Sequence, residues 1–397
     1  ALANVEVEPN DILLNITGDS VARACMVPDW CTPARVNQHV SIVRPGSDLD
    51  PTFLLCFLQS SKPLLLKLAS SGATRNALTK GMIGDLEIEL PSIETQRAIA
   101  TLIGQIQQKI VLNQQTNDYL EQLLLARFDH LFETSNPYNG TIADIGDVVG
   151  GATPSKKRPE YYCRHGIGWI TPRDLSNTTE KFIAHGADDI TQDGFDSCSV
   201  KKMPAGSVLF SSRAPIGYIA IAADEVTTNQ GFKSIVPHAE VGTAFVYCFL
   251  VRNRSRISDV GSGTTFPEVS GKTMAAIELV LPESDLCAEF EKWAAPILDE
   301  QHRLDMENRN LGSLRDLLLP KLMSGGIDVS KVELSMQQNN HLQQSRIRSE
   351  SALMYSLESY RCYHLVHRSN LKGTSMAVPK YHEMMLPILE YLGDKQS

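Results

Sequence analysis

Part of this chain occurs twice. Residues 53–58 (Phe-Leu-Leu-Cys-Phe-Leu) match residues 245–250 (Phe-Val-Tyr-Cys-Phe-Leu), and Asn37-Gln38 matches Asn229-Gln230, all at an offset of 192 positions. Two further pairs of segments match at an offset of 191, namely 72–74 with 263–265 and 86–91 with 277–282. Agreement at a nearly constant offset indicates an internal repeat, so the fold must contain the same unit twice.

Each copy of the repeat continues into a long segment with a helical pattern. Residues at alternating steps of four and three form a heptad seam, which predicts helices of about 60 Å at about 1.5 Å per residue. The predicted seam positions are Ile99, Ile103, Ile106, Ile110, Asn117 and Leu120 in the first helix, and Phe290, Ile297, Leu304, Asn308 and Leu311 in the second. We expect the two helices to pack together as a coiled coil. The alternative is that each helix packs on its own domain.

The segments that precede the two helices differ in extent. Residues 141–282 are rich in β-branched residues, Gly and turn signals, and a helical stretch at 242–257 interrupts them, which predicts an α+β domain. The segment before the first helix matches only the later portion of this domain, since residues 11–16 align with 207–212. The predicted divisions are a partial first domain (1–92), a first helix and linker (93–140), a full second domain (141–282), a second helix (283–334), and a polar, disordered tail (335–397) with a module beginning at 376.

The sequence contains none of the motifs that would indicate a catalytic site. The sequence has no nucleophile elbow, no phosphate-binding loop, no Cys-x-x-Cys pair and no paired histidines at metal-ligand spacing. We therefore predict no catalytic residue, no cofactor and no metal. No apolar run is long enough to span a bilayer, and the chain begins without a signal-peptide pattern, so we expect a cytoplasmic protein without a membrane partner.

The net charge of −9 argues against a protein that binds nucleic acid through bulk positive charge. The acidity is uneven, however, because residues 283–334 hold 6 basic and 11 acidic side chains, whereas residues 141–282 hold 14 and 15. Basic side chains in loops beside Ser and Thr suit contacts with DNA phosphates and base edges. The candidate DNA-binding residues are Lys156, Lys157, Arg158, Arg173, Lys201, Lys202, Arg213, Thr264 and Thr265. For each, a solvated surface side chain is the alternative.

Five segments, together with the repeat and the two helices, resemble the specificity subunit of type I restriction-modification systems. The segments are 90–99 (Leu-Pro-Ser-Ile-Glu-Thr-Gln-Arg-Ala-Ile), 142–154, 169–175 (Trp-Ile-Thr-Pro-Arg-Asp-Leu), 263–267 (Gly-Thr-Thr-Phe-Pro) and 317–325. The resemblance extends over about residues 5–333. From residue 376 the tail resembles the beginning of a modified-DNA restriction protein of the Mrr type.

The resemblance implies an α+β fold with two repeated target recognition domains of mixed sheet and short helices, joined by two long helices in an antiparallel coiled coil. Each domain would recognise one half of a split sequence in double-stranded DNA. The helices would bind two methyltransferase subunits, nuclease-translocase subunits would join the complex, and the subunit itself would not be an enzyme. The first domain lacks a counterpart of residues 142–175. The second hypothesis is therefore a coiled-coil scaffold or inactive remnant that binds the methyltransferase without sequence-specific DNA recognition.

Overall fold

The computed structural model describes residues 5–70, 77–132, 136–262 and 267–329. The predicted tail from residue 335, the module at 376, and Thr264 and Thr265 lie outside the described residues. The first domain contains the strands β1 (Glu6–Val7), β2 (Ile12–Asn15), β3 (Ala24–Met26), β4 (Ala34–Arg35) and β5 (Val40–Val43), followed by the helices α1 (Pro51–Ser60), α2 (Lys62–Ser70) and α3 (Lys80–Gly84).

The first long helix, α4 (Ile93–Phe132), connects the first domain to the second. The second domain comprises β6 (Gly140–Thr141), β7 (Gly146–Gly150), β8 (Tyr162–Cys163), β9 (Gly168–Ile170), α5 (Pro172–Ser176), β10 (Phe182–Ile183), β11 (Asp189–Ile190), α6 (Gln192–Asp196), β12 (Val208–Ser212), β13 (Ile216–Ala222), β14 (Val226–Thr228), β15 (Lys233–Pro237), α7 (Thr243–Asp259), α8 (Gly271–Ala275) and β16 (Glu278–Leu279). The second long helix, α9 (Ser284–Met323), follows it.

The central strands of the main sheet are arranged in the same way in the two domains. The strand order is β3-β2-β5 in the first domain and β10-β13-β12-β15-β7 in the second. The hairpin β12–β13 with β15 therefore corresponds to the hairpin β2–β3 with β5, as the repeat predicts. The flanking strands β7 and β10 come from the part of the second domain that has no match in residues 5–92. The first domain nevertheless buries Leu14, Leu65 and Leu78 in a core of its own.

The helices α4 and α9 pack side by side in opposite directions. Three contacts between side chains define the direction: Gln107 with Arg315, Asn113 with Asn308, and Arg127 with Glu289. Residue numbers rise along α4 while those of the contacted residues of α9 fall, so the predicted antiparallel packing is confirmed. Seven predicted seam residues are buried (Ile99, Ile103, Ile106, Ile110, Phe290, Ile297 and Leu304), and Asn117, Leu120, Asn308 and Leu311 are partly buried.

Each end of the helix pair also forms the core of one domain, so the alternative packing predicted from the sequence is present as well. At one end α1, α4 and α9 contribute Phe53, Ile99 and Leu319, and at the other end α7, α9 and α4 contribute Phe245, Phe290 and Phe128. These six residues are three pairs of corresponding positions in the repeat. The helix pair with its two cores therefore has an approximate two-fold symmetry.

A side chain from each long helix binds the beginning of a helix in the adjacent domain. Glu291 of α9 accepts hydrogen bonds from the backbone N–H groups of Thr243 (3.2 Å) and Ala244 (2.9 Å) at the start of α7. Burial raises the pKa of Glu291, although these two hydrogen bonds oppose that shift. Gln96 of α4 accepts a hydrogen bond from the N–H of Asp50 (2.9 Å), the N-cap of α1. Both contacts satisfy backbone donors that a helix leaves open at its N-terminus.

Replacing Phe290 with alanine should lower the free energy of unfolding by about 3–5 kcal/mol, the usual cost of truncating a buried aromatic side chain. Phe290 is 1% exposed and packs against Phe128 and Phe132. The control is Leu317→Ala on the same helix, at a side chain that is 59% exposed, which should change the free energy by about 0.5 kcal/mol or less. Urea unfolding followed by circular dichroism measures both. Equal losses would contradict the described core.

Candidate nucleic-acid interface

The second domain contains a cleft of about 820 Å³ lined mainly by polar side chains, among them three basic residues and the carboxylates of Asp174 and Asp188. Its walls are the loop after β7, the helix α5, the segment after β12 and the turn after β14. Three of the predicted DNA-binding residues, Lys156, Arg173 and Arg213, line this cleft. These residues are distant in the sequence, and the fold brings them to one surface.

Two aromatic side chains bind the backbone of the loop that contains Lys156. The indole Nε1 of Trp169 donates a hydrogen bond to the carbonyl oxygen of Ala152 (3.0 Å), and the hydroxyl of Tyr162 donates to that of Pro154 (2.6 Å). The two rings pack edge to face at 5.6 Å between centroids. Burial raises the pKa of Tyr162. The loop therefore presents Lys156 from a fixed backbone.

A capped helix positions Arg173. The side chain of Asp174 accepts hydrogen bonds from the N–H (2.7 Å) and the hydroxyl (2.6 Å) of Thr171, and Pro172 occupies the first turn of α5. Both features favour a helix start at this point. Arg173 itself is exposed, and no ion pair links Arg173 or Lys156 to another residue in the part of the chain that the structure describes. Both charges are therefore available to an anionic ligand.

Arg213 lies where β12 ends, and its charge is partly compensated. Its guanidinium is 3.4 Å from the carboxylate of Glu268, which also lies 3.3 Å from the ammonium of Lys233. The next residue, Ala214, has a φ of +53°, a backbone conformation that is strained for a residue with a Cβ. Such strain persists only where the surrounding structure fixes it, and it is common at binding sites.

Sequence reasoning missed the amide side chains of the cleft, which belong to Asn177, Asn229 and Gln230. Asn229 Oδ1 accepts a hydrogen bond from the N–H of Gly231 (2.8 Å), two residues further on. Asn37 forms the corresponding turn in the first domain, with the N–H of His39 as donor (2.9 Å). A signal was present, because Asn229-Gln230 is one of the dipeptides that the repeat preserves. Asn and Gln side chains are suited to the paired donor and acceptor of adenine.

Four other predicted DNA-binding residues that the structure describes lie outside the lining of the cleft, namely Lys157, Arg158, Lys201 and Lys202. Lys157 and Arg158 are exposed on the same loop as Lys156, and Arg158 pairs with Glu160 at 3.1 Å. Lys201 and Lys202 precede β12, where Lys202 pairs with Glu225 at 2.8 Å and lies over the ring of Phe195. Thr264 and Thr265 cannot be placed, since they lie outside the described residues.

In the ranges that the structure describes, no group of His, Cys, Asp and Glu side chains is arranged to hold a metal ion. None of the helices described there has the length and apolar character that crossing a membrane requires.

The Lys156 loop depends on a close backbone contact at Gly151. A Cβ at Gly151 would lie 2.2 Å from the carbonyl oxygens of Thr228 and Asn229. Gly151→Ala should therefore displace the loop, destabilise the domain by about 1–3 kcal/mol, and accelerate amide hydrogen exchange in residues 152–158. Gly150→Ala is the matched control, because its Cβ would have no neighbour closer than 3.9 Å. Similar exchange rates in the two variants would contradict the described contact.

A family model described as the type I restriction modification DNA specificity domain matches this chain twice, at residues 5–122 and 138–286. The first match spans the first domain and much of α4, whereas the second spans the second domain with all residues of the cleft and ends at the beginning of α9.

Individual proteins are similar to the chain to different extents. The MjaIX type I restriction enzyme specificity subunit of Methanocaldococcus jannaschii is 42% identical over 146 residues, 36% of this chain and 34% of that protein. The HindI specificity subunit of Haemophilus influenzae is 23% identical over 407 aligned positions, 82% of this chain and 88% of that protein. A solved type I restriction-modification S subunit from M. genitalium has a TM-score of 0.49 at 16% identity, with 80% of this chain and 84% of that chain covered.

Proposed function

The chain belongs to the family of type I restriction-modification DNA specificity domains, and from this premise we propose that it is the DNA-recognition subunit of a type I restriction-modification complex. In this role it recognises a split sequence in double-stranded DNA, catalyses no reaction itself, and works in the cytoplasm. The observation that supports the proposal most directly is the cleft of the second domain, where Lys156, Arg173 and Arg213 converge with three amide side chains.

The side chains of the cleft suit both kinds of contact that sequence-specific DNA binding requires. Arg173 and Arg213 can donate two parallel hydrogen bonds to a guanine, whereas Asn229 and Gln230 can pair with an adenine. Lys156, on its exposed loop, suits a phosphate, a contact that fixes position without selecting sequence. Lys157 and Arg158 on the same loop would extend this contact along the backbone.

The antiparallel helix pair supports recognition of two separated half-sites. The helices have 40 residues each, which gives about 60 Å at the rise of an α-helix. Half-sites one turn of DNA apart are separated by about 34 Å. Since each domain packs on one end of the pair, helices of this length can hold the two domains over successive half-sites.

The same helices offer a surface for methyltransferase subunits. Exposed apolar side chains occur on α9 (Met306, Leu314 and Leu317) and on α4 (Leu112 and Tyr119). Apolar side chains exposed together on a helix surface are typical of protein-binding sites. The approximate two-fold symmetry of the helix pair suits one methyltransferase subunit on each side, and nuclease-translocase subunits would join through them.

Replacing Arg173 with alanine should relax one position of the DNA sequence. Loss of an arginine that contacts a guanine costs about 1–3 kcal/mol for the cognate base and less for the others. Lys156→Ala should instead weaken binding to all sequences alike. The measurement is mapping of methylated adenines in the genome of cells that produce the chain with its methyltransferase, combined with binding of the purified complex to variant DNA duplexes.

Lys202→Ala is the control, because it removes the same charge as Lys156→Ala from a lysine that lies outside the cleft. It should change affinity less than either cleft variant does. An equal and sequence-independent loss in Arg173→Ala and Lys156→Ala would exclude Arg173 from base recognition. If the complex bound every sequence equally, the proposed function would be wrong and a scaffold role would replace it.

A further inference from the structure

A largely buried lysine attaches the second domain to the helix pair beside Phe182 and Tyr247, at the apolar core that also contains Phe245. Lys181 directly precedes β10, and its side chain is 10% exposed. Its ammonium group pairs with the carboxylate of Glu121 on α4 and donates a hydrogen bond to Gln301 Oε1 on α9 (2.6 Å). The ammonium also lies 4.5 Å from the centre of the Tyr247 ring on α7. One side chain thus connects its own strand to three helices.

The partners of Lys181 are bonded to one another. Tyr247 donates its hydroxyl hydrogen to Glu121 Oε1 (2.8 Å). On the other side Asp305 of α9 accepts the backbone N–H of Lys181 (3.0 Å) and the amide of Asn117 on α4 (2.8 Å). Burial raises the pKa of Asp305, and the N–H groups that face it oppose that shift. We call the set of Lys181, Glu121, Tyr247, Gln301, Asp305 and Asn117 the lysine node.

Two contacts at the edge of the lysine node strengthen the attachment. Glu180 forms an ion pair with Arg309 of α9. The ring of Phe182 stacks on that of His302, with 4.7 Å between centroids and 24° between planes. Three successive residues therefore contact α9: Glu180 and Phe182 through their side chains, and Lys181 through its backbone N–H as well as its ammonium group.

The lysine node breaks the two-fold symmetry of the helix pair. At the positions of the repeat that correspond to Glu121, Gln301 and Asp305, the chain has Gly312, Ile110 and Gln114. These residues cannot reproduce the charges of the node. Charged groups that are removed from water gain little net stability from pairing, but they require specific partners and geometry. The node therefore restricts how the second domain sits on the helices.

We propose that Lys181 is a positioning residue: it fixes the orientation of the second domain on the helix pair and so determines the spacing at which the two DNA half-sites are accepted. This inference rests on the proposed function. Without the lysine node, the second domain would still rest on the helix pair through the apolar core that contains Phe245. Apolar contacts tolerate small rotations better than directional hydrogen bonds do. Removing the node should therefore leave the domain folded and attached, but variable in orientation.

The first test measures orientation without DNA. Spin labels introduced as unnatural amino acids at Asp193 of α6 and Gln108 of α4, both exposed, report the distance distribution by pulsed electron paramagnetic resonance. Lys181→Met should broaden this distribution. The matched control is Lys109→Met, which removes a lysine of α4 whose ammonium donates to Asn113 on the same helix (2.8 Å) and lies 3.4 Å from Glu307 of α9. If Lys181→Met prevents folding, Arg309→Met breaks only the outer ion pair and should broaden the distribution to a smaller extent.

The second test measures methylation by the assembled complex on duplexes that keep both half-sites and vary the spacer by single base pairs. In Lys181→Met the preference for the best spacer over its neighbours should fall about tenfold, within the coupling range of side chains in one bonded network. An unchanged distance distribution, or a broadened one with an unchanged spacer preference, would overturn the inference. If the unmodified complex methylated none of the duplexes, the proposed function would fail, and the distance measurement would still decide whether Lys181 fixes the orientation.

Discussion

The antiparallel contact between α4 and α9 is the interaction on which the rest of the structure depends. Each domain packs on both helices at once, so separation or slippage of the pair would open both cores. Polar side chains near the middle define the register, notably Asn113 with Asn308 and Asn117 with Asp305. A slip of one turn, about 5.4 Å, would leave these groups without partners. Each buried group without a hydrogen bond would lower the stability by about 1–3 kcal/mol. The apolar seam residues stabilise the helix pair, and these polar side chains select one alignment of the two helices.

Periodic features of the fold could be predicted from the sequence. Features that depend on whether a side chain bonds the nearby backbone and so replaces a strand by a turn could not. The heptad pattern predicted a first helix and linker over residues 93–140, and α4 spans Ile93–Phe132. β-branched residues contributed to the prediction of an α+β domain at 141–282, but Ile142–Asp144 at the start of this domain form a 3₁₀ turn. The reason is local, since Asp144 bonds the N–H (2.8 Å) and the hydroxyl (2.9 Å) of Thr141 and so closes the turn. β-branched composition does not reveal that competition.

The site was predicted only as far as residue type allows. Lys156 and Arg213 were identified as basic residues in loops or at a strand end, and Arg173 belongs to the segment 169–175. Residue type alone also selected Lys202, which lies elsewhere. It did not select Lys181, because the importance of Lys181 comes from burial against helices that are 60 or more residues away in the sequence. Asn229 was recognised as a marker of the repeat and not as a lining residue. Its position in the cleft follows from the turn that it forms after β14.

The charge distribution has a consequence for how such a protein would select DNA. The second helix segment, residues 283–334, is net −5, so it repels phosphates and provides no sequence-independent track along the duplex. The cleft itself holds three basic residues, Lys156, Arg173 and Arg213, which lie among amide side chains and two carboxylates. Because non-specific affinity grows with the number of neutralised phosphates, few cations keep that background low. In the proposed function, affinity for the correct sequence would then depend on base contacts and on the placement of the domains by the helix pair.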